Sequence, residues 1–217
     1  MTPVALLGWV ATVIGACLAA PQLIRLVRTG NVEGLSLVGW QTALVLNIAW
    51  AVHGINIGQL PQILSSSLAL FTTVPILVLM ARAVGRRLLP TMLPSFAVAA
   101  TMIAIDGFLG SAAYGIAAIF PGIAITAAQS VELVRSEHVR GVSPVSMALG
   151  FINLTLWAIW AVLVNDPGTI IALAISWVIA LFNVIWYVLR RMGLRSFFTR
   201  IDTLEPMPVP VMVGDQR

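Results

Sequence analysis

The sequence predicts an all-α integral membrane protein with seven transmembrane helices in a 3+1+3 arrangement: two parallel three-helix repeats joined by a linker helix. Three observations support this prediction. Hydrophobic residues make up 59% of the 217 residues and charged residues only 9%. There is no lysine, and the arginines occur in groups between apolar stretches. One stretch of the first half recurs in the second. This composition is incompatible with an ordinary soluble domain of the same length.

The predicted spans are apolar stretches that can cross about 30 Å of hydrocarbon as helices of about 20 residues. They are continuously apolar rather than alternating, which excludes a transmembrane β-barrel. Met1-Thr2-Pro3 has no basic character, so we expect the first span to be retained rather than cleaved as a signal peptide. The spans are expected at about 4–25, 36–56, 60–81, 90–109, 111–133, 143–164 and 167–189.

The arginines predict the orientation of these spans. All twelve fall in the first, third and fifth connections and in the C-terminal tail, at positions 25, 28, 82, 86, 87, 135, 140, 190, 191, 195, 200 and 217. The second, fourth and sixth connections contain no arginine, only Asp106 and Asp166. The positive-inside rule then places the N-terminus outside and the C-terminus in the cytoplasm of a multi-pass cell-membrane protein. Anchoring at the inner leaflet explains the net charge of +4, so no nucleic-acid partner is expected.

An internal repeat appears at an offset of 107 residues. Eight of seventeen positions from Gln22 to Val38 are identical to their counterparts from Gln129 to Val145, and Trp50 corresponds to Trp157. Chance would give about one identity, so the pattern indicates a duplicated unit of three helices. Because three helices end on the opposite side from where they begin, one additional helix restores the orientation of the second copy. The predicted divisions are a first repeat at 1–85, a linker helix at 86–109, a second repeat at 110–192 and a cytoplasmic tail at 193–217.

The repeated residues resemble the SWEET and SemiSWEET sugar transporters of the PQ-loop (MtN3/saliva) superfamily. The resemblance covers about 4–190 and rests on Ala20-Pro21-Gln22-Leu23, on Val32-x-Gly34-x-Ser36, on Trp50-x-x-x-Gly54 and on the second copy of this layout. It implies a transporter of a small neutral solute, a sugar or sugar-like molecule, by facilitated diffusion with alternating access. Two alternatives remain open: an exporter of amino acids or other small metabolites, and a receptor or accessory protein that does not transport.

Two prolines are candidate hinges. Pro21 precedes Gln22 inside the first span, where a proline removes one backbone hydrogen bond and bends the helix. In the second repeat Gln129 follows an alanine, and the proline lies earlier, at Pro121. A static kink is the alternative interpretation, because prolines are frequent in transmembrane helices. The resemblance favours a hinge that involves Pro21, Gln22, Pro121 and Gln129.

The tryptophans at equivalent positions are candidate substrate contacts. Trp50 lies fourteen residues after Ser36, which corresponds to about 21 Å of helix. The same arithmetic puts Ser66 at the depth of Trp50 and Leu173 at that of Trp157. Two indole faces across a pseudo-two-fold axis would suit the apolar C–H surface of a sugar ring. The alternative is an aromatic belt at the membrane interface.

The resemblance implies a second set of solute contacts. The sugar site of the family uses an asparagine sixteen positions after each tryptophan, and here those positions are Ser66 and Leu173. Amides at Asn47 and Asn153 precede the tryptophans by about one turn, and Asn183 lies deeper in the last helix. Each of these amides is a candidate to replace the missing contacts, or alternatively to hold helices together.

Ionisable residues are scarce in the spans, which favours uncoupled transport. His53 is the clear candidate for a functional ionisable residue inside the membrane, because Asp106 lies near the outer end of the fourth span. Two scattered histidines, one cysteine and peripheral acids offer no nucleophile–base pair, no metal site and no cofactor site, so we expect no enzymatic activity. The absence of lysine excludes a retinal Schiff base. The expected partners are a small neutral solute and the lipid bilayer, and self-association into a homo-oligomer is left open.

Overall fold

Seven helices and no strands make up the part of the chain that the computed structural model describes, residues 2–32, 35–135 and 144–194. This confirms the predicted all-α fold class, with one helix for each expected span. The first helix ends at Thr29, about one turn later than expected, and the fourth begins at Leu88 rather than at 90. The helices are α1 Pro3–Thr29, α2 Leu37–Asn56, α3 Leu60–Ala83, α4 Leu88–Leu109, α5 Ser111–Arg135, α6 Pro144–Val164 and α7 Pro167–Arg191.

Local capping determines where several helices begin. The hydroxyl of Ser36 accepts a hydrogen bond from the backbone N–H of Gly39 at 3.1 Å and so caps α2, as expected of serine at this position. Asp166 caps α7, with proline at the first helical position, and this confirms the predicted start. α6 begins at Pro144, within one residue of the expected start at about 143. Ser143 and the repeated glycines Gly34 and Gly141 lie outside the described residues.

The outer surface of the bundle is apolar, as a lipid-facing surface must be. Six of the seven described helices are long and apolar enough to cross a membrane. The seventh, α2, carries the polar residues Gln41, Asn47 and His53 among its apolar residues. Each helix nevertheless exposes a large apolar side chain, for example Val13, Ile55, Phe71, Phe108, Phe120, Val162 and Val178. The chain is a multi-pass membrane protein.

The helices pack in the same order in both halves. α3 lies between α1 and α2, and α7 lies between α5 and α6, so the third helix of each half contacts both of its partners. Across the halves α1 packs on α6 and α2 packs on α5, which is the pattern that a two-fold axis would generate. α4 lies against α2 and α5. This arrangement supports the predicted division into two repeats and a linker helix, which remains a prediction.

Two glycines at equivalent positions allow the first and third helices of each half to approach closely. A Cβ atom at Gly8 would fall 2.8 Å from the Cβ atom of Pro61. A Cβ atom at Gly115 would overlap the backbone carbonyl of Gly168. Because Gly115 and Gly168 follow Gly8 and Pro61 by the repeat offset of 107, the two halves share the same close contact. Small residues at helix contacts are typical of membrane bundles.

Candidate substrate-binding site

A cavity of about 470 Å³ lies between the two halves, within the usual size range of small-molecule sites. Its walls come from α2, α3, α5, α6 and α7. The apolar lining consists of Trp50, Met147, Gly150, Phe151, Leu154, Trp157, Leu173 and Ala180. The polar lining consists of Gln62, Ser65, Ser66, Thr126, Gln129, Ser146, Asn153, Thr169 and Asn183. None of these described lining residues is ionisable.

Most of the residues selected from the sequence meet in this cavity: Trp50, Trp157, Ser66, Leu173, Asn153 and Asn183. The two indoles are oriented by aromatic neighbours one turn away. The ring of Trp50 stands edge-on to that of His53, with centroids 5.5 Å apart. The ring of Trp157 stands edge-on to that of Trp160 at 5.2 Å. Each half therefore supports its cavity tryptophan with the same T-shaped contact.

Two of the selected amides hold helices together. Asn47 is not among the lining residues, and its amide donates a hydrogen bond to the hydroxyl of Thr73 at 2.9 Å, which joins α2 to α3. Asn183 lines the cavity, but its side-chain oxygen accepts from Ser130 at 2.6 Å and its amide donates to the backbone carbonyl of Thr126 at 3.2 Å. The helix-bridging interpretation therefore describes both side chains.

Two other amides retain bonding capacity. The Oδ1 atom of Asn153 is buried and has no hydrogen-bond partner among the described residues. Gln62, only 4% exposed, has neither an acceptor for its Nε2 atom nor a donor for its Oε1 atom there. Buried polar atoms are almost always paired, so these atoms have capacity for polar groups of a bound molecule. Gln62 was not predicted, because a glutamine three residues into a helix resembles an ordinary solvated one.

Comparisons with known proteins agree with this architecture. The PQ loop repeat profile matches residues 4–63, which contain α1, α2 and the start of α3. A protein named Sugar transporter SemiSWEET, from Escherichia coli (strain UMEA 3162-1), is 32% identical over 79 residues, which is 36% of this chain and 89% of that protein. The chain belongs to the SWEET and SemiSWEET family of PQ-loop proteins. No solved structure matches it.

The Pro-Gln pair that marks this family lies inside a continuous helix. α1 runs through Pro21, and α5 runs through Pro121. The buried Nε2 atom of Gln22 has no partner among the described residues, whereas Gln129 lines the cavity. The two halves therefore place their equivalent glutamines in different surroundings. The hinge function of these four residues remains a prediction.

A second polar cluster, which sequence analysis did not assemble, lies at one end of the bundle. The ring of His53 bonds to two carboxylates: Nδ1 is 2.8 Å from Oδ2 of Asp106, and Nε2 is 3.0 Å from Oδ2 of Asp166. His53 is fully buried and both aspartates are less than 10% exposed. We call these three residues the Asp–His–Asp cluster, and the end of the bundle at which they lie the acidic end. The cluster joins α2 of the first half, α4 and the start of α7.

Donors surround Asp166 on all sides. Its carboxylate accepts hydrogen bonds from the backbone N–H groups of Gly168 and Thr169, at 3.3 Å and 2.9 Å, and from the hydroxyls of Ser111 and Thr169. Burial opposes ionisation of this carboxyl, but the hydrogen bonds from His53, Ser111 and Thr169 outweigh it and hold the pKa of Asp166 well below its ordinary value. Asp166 is therefore an ionised acceptor.

The cluster corrects the expectation that the acids are peripheral and the histidines scattered. Asp106 and Asp166 do lie at helix ends, but both are buried and both bond to His53. The ring of Tyr114 covers His53 from α5, with an interplanar angle of 11° and centroids 4.4 Å apart. Sequence separations of 53 and 113 residues concealed the contacts, since nothing local links these positions. The signal that could have found them is that Asp106 and Asp166 lie at span ends where the sequence has no arginine to pair with them.

Proposed function

We propose that this protein is a membrane transporter that moves a small neutral solute, a sugar or sugar-like molecule, by facilitated diffusion with alternating access. The observation that carries the proposal is the uncharged polar lining of the cavity. A charged or zwitterionic solute would lose its hydration there without gaining an ionic partner. The name of the SemiSWEET relative, a sugar transporter, supports the same class of solute.

The lining matches the surface chemistry of a polyhydroxylated ring. Trp50 and Trp157 supply large flat apolar faces, which suit the C–H face of a sugar. The unpartnered atoms of Gln62 and Asn153 supply two acceptors and a donor. A solute with hydroxyl groups can satisfy both kinds of atom, because each hydroxyl donates one hydrogen bond and accepts others.

Alternating access would use the boundary between the halves. The cavity lies on that boundary, and its lining extends from Thr169 near the acidic end to Gln129 and Ser146 towards the ends of the helices that carry arginine. Rocking of the halves, bent at Pro21 and Pro121, would expose the cavity at each end in turn. With the positive-inside rule, the acidic end faces the outside and the C-terminus lies in the cytoplasm.

Uptake into proteoliposomes tests the proposal. Purified protein would be reconstituted and assayed with radiolabelled sugars, polyols and amino acids, against vesicles without protein. We expect saturable uptake of at least one neutral sugar or polyol that does not require an ion gradient. Trp157→Ala should reduce this uptake at least tenfold, because it removes one apolar face of the cavity.

Trp177→Ala is the matched control. Trp177 is on α7 of the same half, donates from Nε1 to the hydroxyl of Thr155 at 2.9 Å and lines a groove outside the cavity. Its removal changes a tryptophan of the same half that does not itself line the cavity, although its ring packs on that of Phe151, with centroids 5.5 Å apart. Equal loss of uptake in both variants, or uptake of amino acids alone, would contradict the proposal.

A further inference from the structure

The hydrogen bonds of the Asp–His–Asp cluster require one more proton than a neutral histidine and two ionised aspartates carry. Asp166 is occupied by donors and is an acceptor only, so the Nε2 atom of His53 must donate to it. A neutral imidazole carries a single N–H, and that N–H is then used on Asp166. The Nδ1 atom would face Oδ2 of Asp106, lone pair to lone pair, at 2.8 Å.

A proton between Nδ1 and Asp106 removes this conflict. It can be carried by the ring, which then donates to both carboxylates, or by Asp106, which then donates to the ring. The amide of Asn56 does not supply this proton. It donates its own hydrogen bond to the same oxygen, Oδ2 of Asp106, at 2.8 Å. The observed geometry therefore specifies a bound proton at the contact of His53 with Asp106.

The position of this proton makes it a structural ligand. His53 belongs to the first half, Asp106 to α4 and Asp166 to the start of α7 in the second half. Asp166 also accepts from Ser111 at the start of α5. Four helices that reach the acidic end, α2, α4, α5 and α7, are thus linked through one imidazole ring, directly beside the cavity residue Thr169.

We propose that the Asp–His–Asp cluster is a proton-binding site that holds the acidic end closed, and that release of its proton opens the cavity at this end. The inference rests on the proposed function in that it concerns the regulation of the same cavity. Without the proton, two carboxylates face one neutral ring, and the contact between α2 and α4 changes from attraction to repulsion.

Few other groups face this ring. Among the described residues, the titratable side chains around it are Asp106 from α4, Asp166 from the connection before α7 and Tyr114 from α5. Every described arginine lies in a connection or helix end on the opposite side of the bundle. No described cation near the cluster can therefore replace the proton when it leaves.

Cysteine accessibility tests the inference directly. Cys17, the single native cysteine, would be replaced by alanine, and Ser66→Cys would place a reporter thiol in the cavity. Proteoliposomes would be treated with a membrane-impermeant methanethiosulfonate from about pH 5 to about pH 9, a range that includes the ordinary pKa of histidine. Sided labelling would distinguish entry from the acidic end.

Asp106→Asn supplies the matched control. The asparagine amide can donate to Nδ1 and does not titrate in this pH range, so this variant should stay closed and should report only the intrinsic pH response of the thiol. We expect the ratio of labelling rates, parent over Asp106→Asn, to rise with pH by up to tenfold per unit, the limit for one linked proton. His53→Gln, which has no titratable ring, should abolish the rise.

The outcomes separate the inference from the proposed function. A ratio that is constant across the pH range, or a rise that persists in His53→Gln, overturns the proton site. If His53→Gln does not fold, the comparison with Asp106→Asn alone decides. Solute uptake by the native protein, measured in separate vesicles over the same pH range, gives the second arm: uptake with a constant ratio contradicts this inference only, and pH-dependent labelling without uptake by the native protein contradicts the proposed function only.

Discussion

The two halves of the molecule differ in chemistry at the residue one turn beyond the cavity tryptophan. In the first half this residue is His53, and at the offset of 107 the second half has Trp160. Both are fully buried, and both stand edge-on to their tryptophan. His53 bonds to two carboxylates, whereas the Nε1 atom of Trp160 has no hydrogen-bond partner among the described residues.

The two positions share their edge-on ring packing but differ in their hydrogen bonding. Asp166 caps the third helix of the second half, and its counterpart Gln59 makes no side-chain cap in the first half. The charged link therefore exists on one side of the pseudo-two-fold axis only. In the proton-binding site proposed above, a proton holds the Asp–His–Asp cluster together. The equivalent position of the second half, Trp160, relies on packing alone.

The largest expected effect comes from cutting this link in one half. Asp166→Ala removes the carboxylate that accepts from His53 and caps α7, and leaves a buried ring with a broken bond. We expect a loss of about 3 kcal/mol in the free energy of unfolding, because one partner of a buried charged pair is removed. Thermal unfolding of the detergent-solubilised protein measures the loss.

Gln59→Ala is the control for this substitution, since Gln59 occupies the equivalent cap and makes no side-chain hydrogen bond there. Its cost should be below about 0.5 kcal/mol, as for a surface substitution away from special features. Equal costs for Asp166→Ala and Gln59→Ala would mean that the Asp–His–Asp cluster adds nothing to the free energy of unfolding. The difference between the two halves would then not affect stability.

The next effect tests what the halves share. Gly115→Ala would drive a methyl group into the backbone carbonyl of Gly168, and Gly8→Ala would drive one into Pro61. Neither neighbour can rotate away, so we expect each substitution to cost about 1–3 kcal/mol, with Gly115→Ala the larger because it meets backbone. Gly107→Ala, with nothing within 4 Å of the added atom, should be neutral in the same unfolding assay. A neutral result at both packed glycines would contradict the close contacts.

The sequence was informative wherever the physics is local or periodic. Span length predicted the helices: α6 and α7 were expected from about 143 and 167, and they begin at Pro144 and Pro167. Helical rise placed Trp50, Trp157, Ser66 and Leu173 at matching depths, and all four line the cavity. Side-chain partners could not be predicted in this way, because they depend on which helix faces which.

Two examples show this limit. Asn47 has the spacing of a cavity residue, yet its amide bonds to Thr73 on the neighbouring helix, and Asn183 lines the cavity but also bonds to Ser130. His53 and Asp106 lie near helix ends, where ionisable groups usually face water, and burial of both became visible only once α2 and α4 were packed together. Sequence periodicity predicts the face of a helix but not its partner.

A smaller effect, of opposite sign in the two halves, is expected at Gln62 and its counterpart Thr169, which both line the cavity. Gln62→Leu removes a buried amide without partners, so the protein should gain about 1 kcal/mol while uptake of the neutral solute falls. Thr169→Val removes a hydroxyl that donates to Asp166 and should cost about 1.5 kcal/mol. Thermal unfolding and uptake would be measured on the same preparations, and destabilisation by Gln62→Leu would show that its amide already has a partner.

The smallest effect concerns a hydrogen bond that one half has and the other lacks. Asn47 bonds to Thr73, and the equivalent positions of the second half hold Leu154 and Ala180. Asn47→Leu alone should cost about 0.6 kcal/mol, the usual value of such a bond between membrane helices. Combined with Thr73→Ala the cost should shrink, because both polar partners are then gone. A double-mutant cycle by thermal unfolding measures the coupling between the two side chains.

Uptake should be unchanged in both variants, since Asn47 does not line the cavity. A loss of uptake with intact stability would show that Asn47 contacts the solute after all.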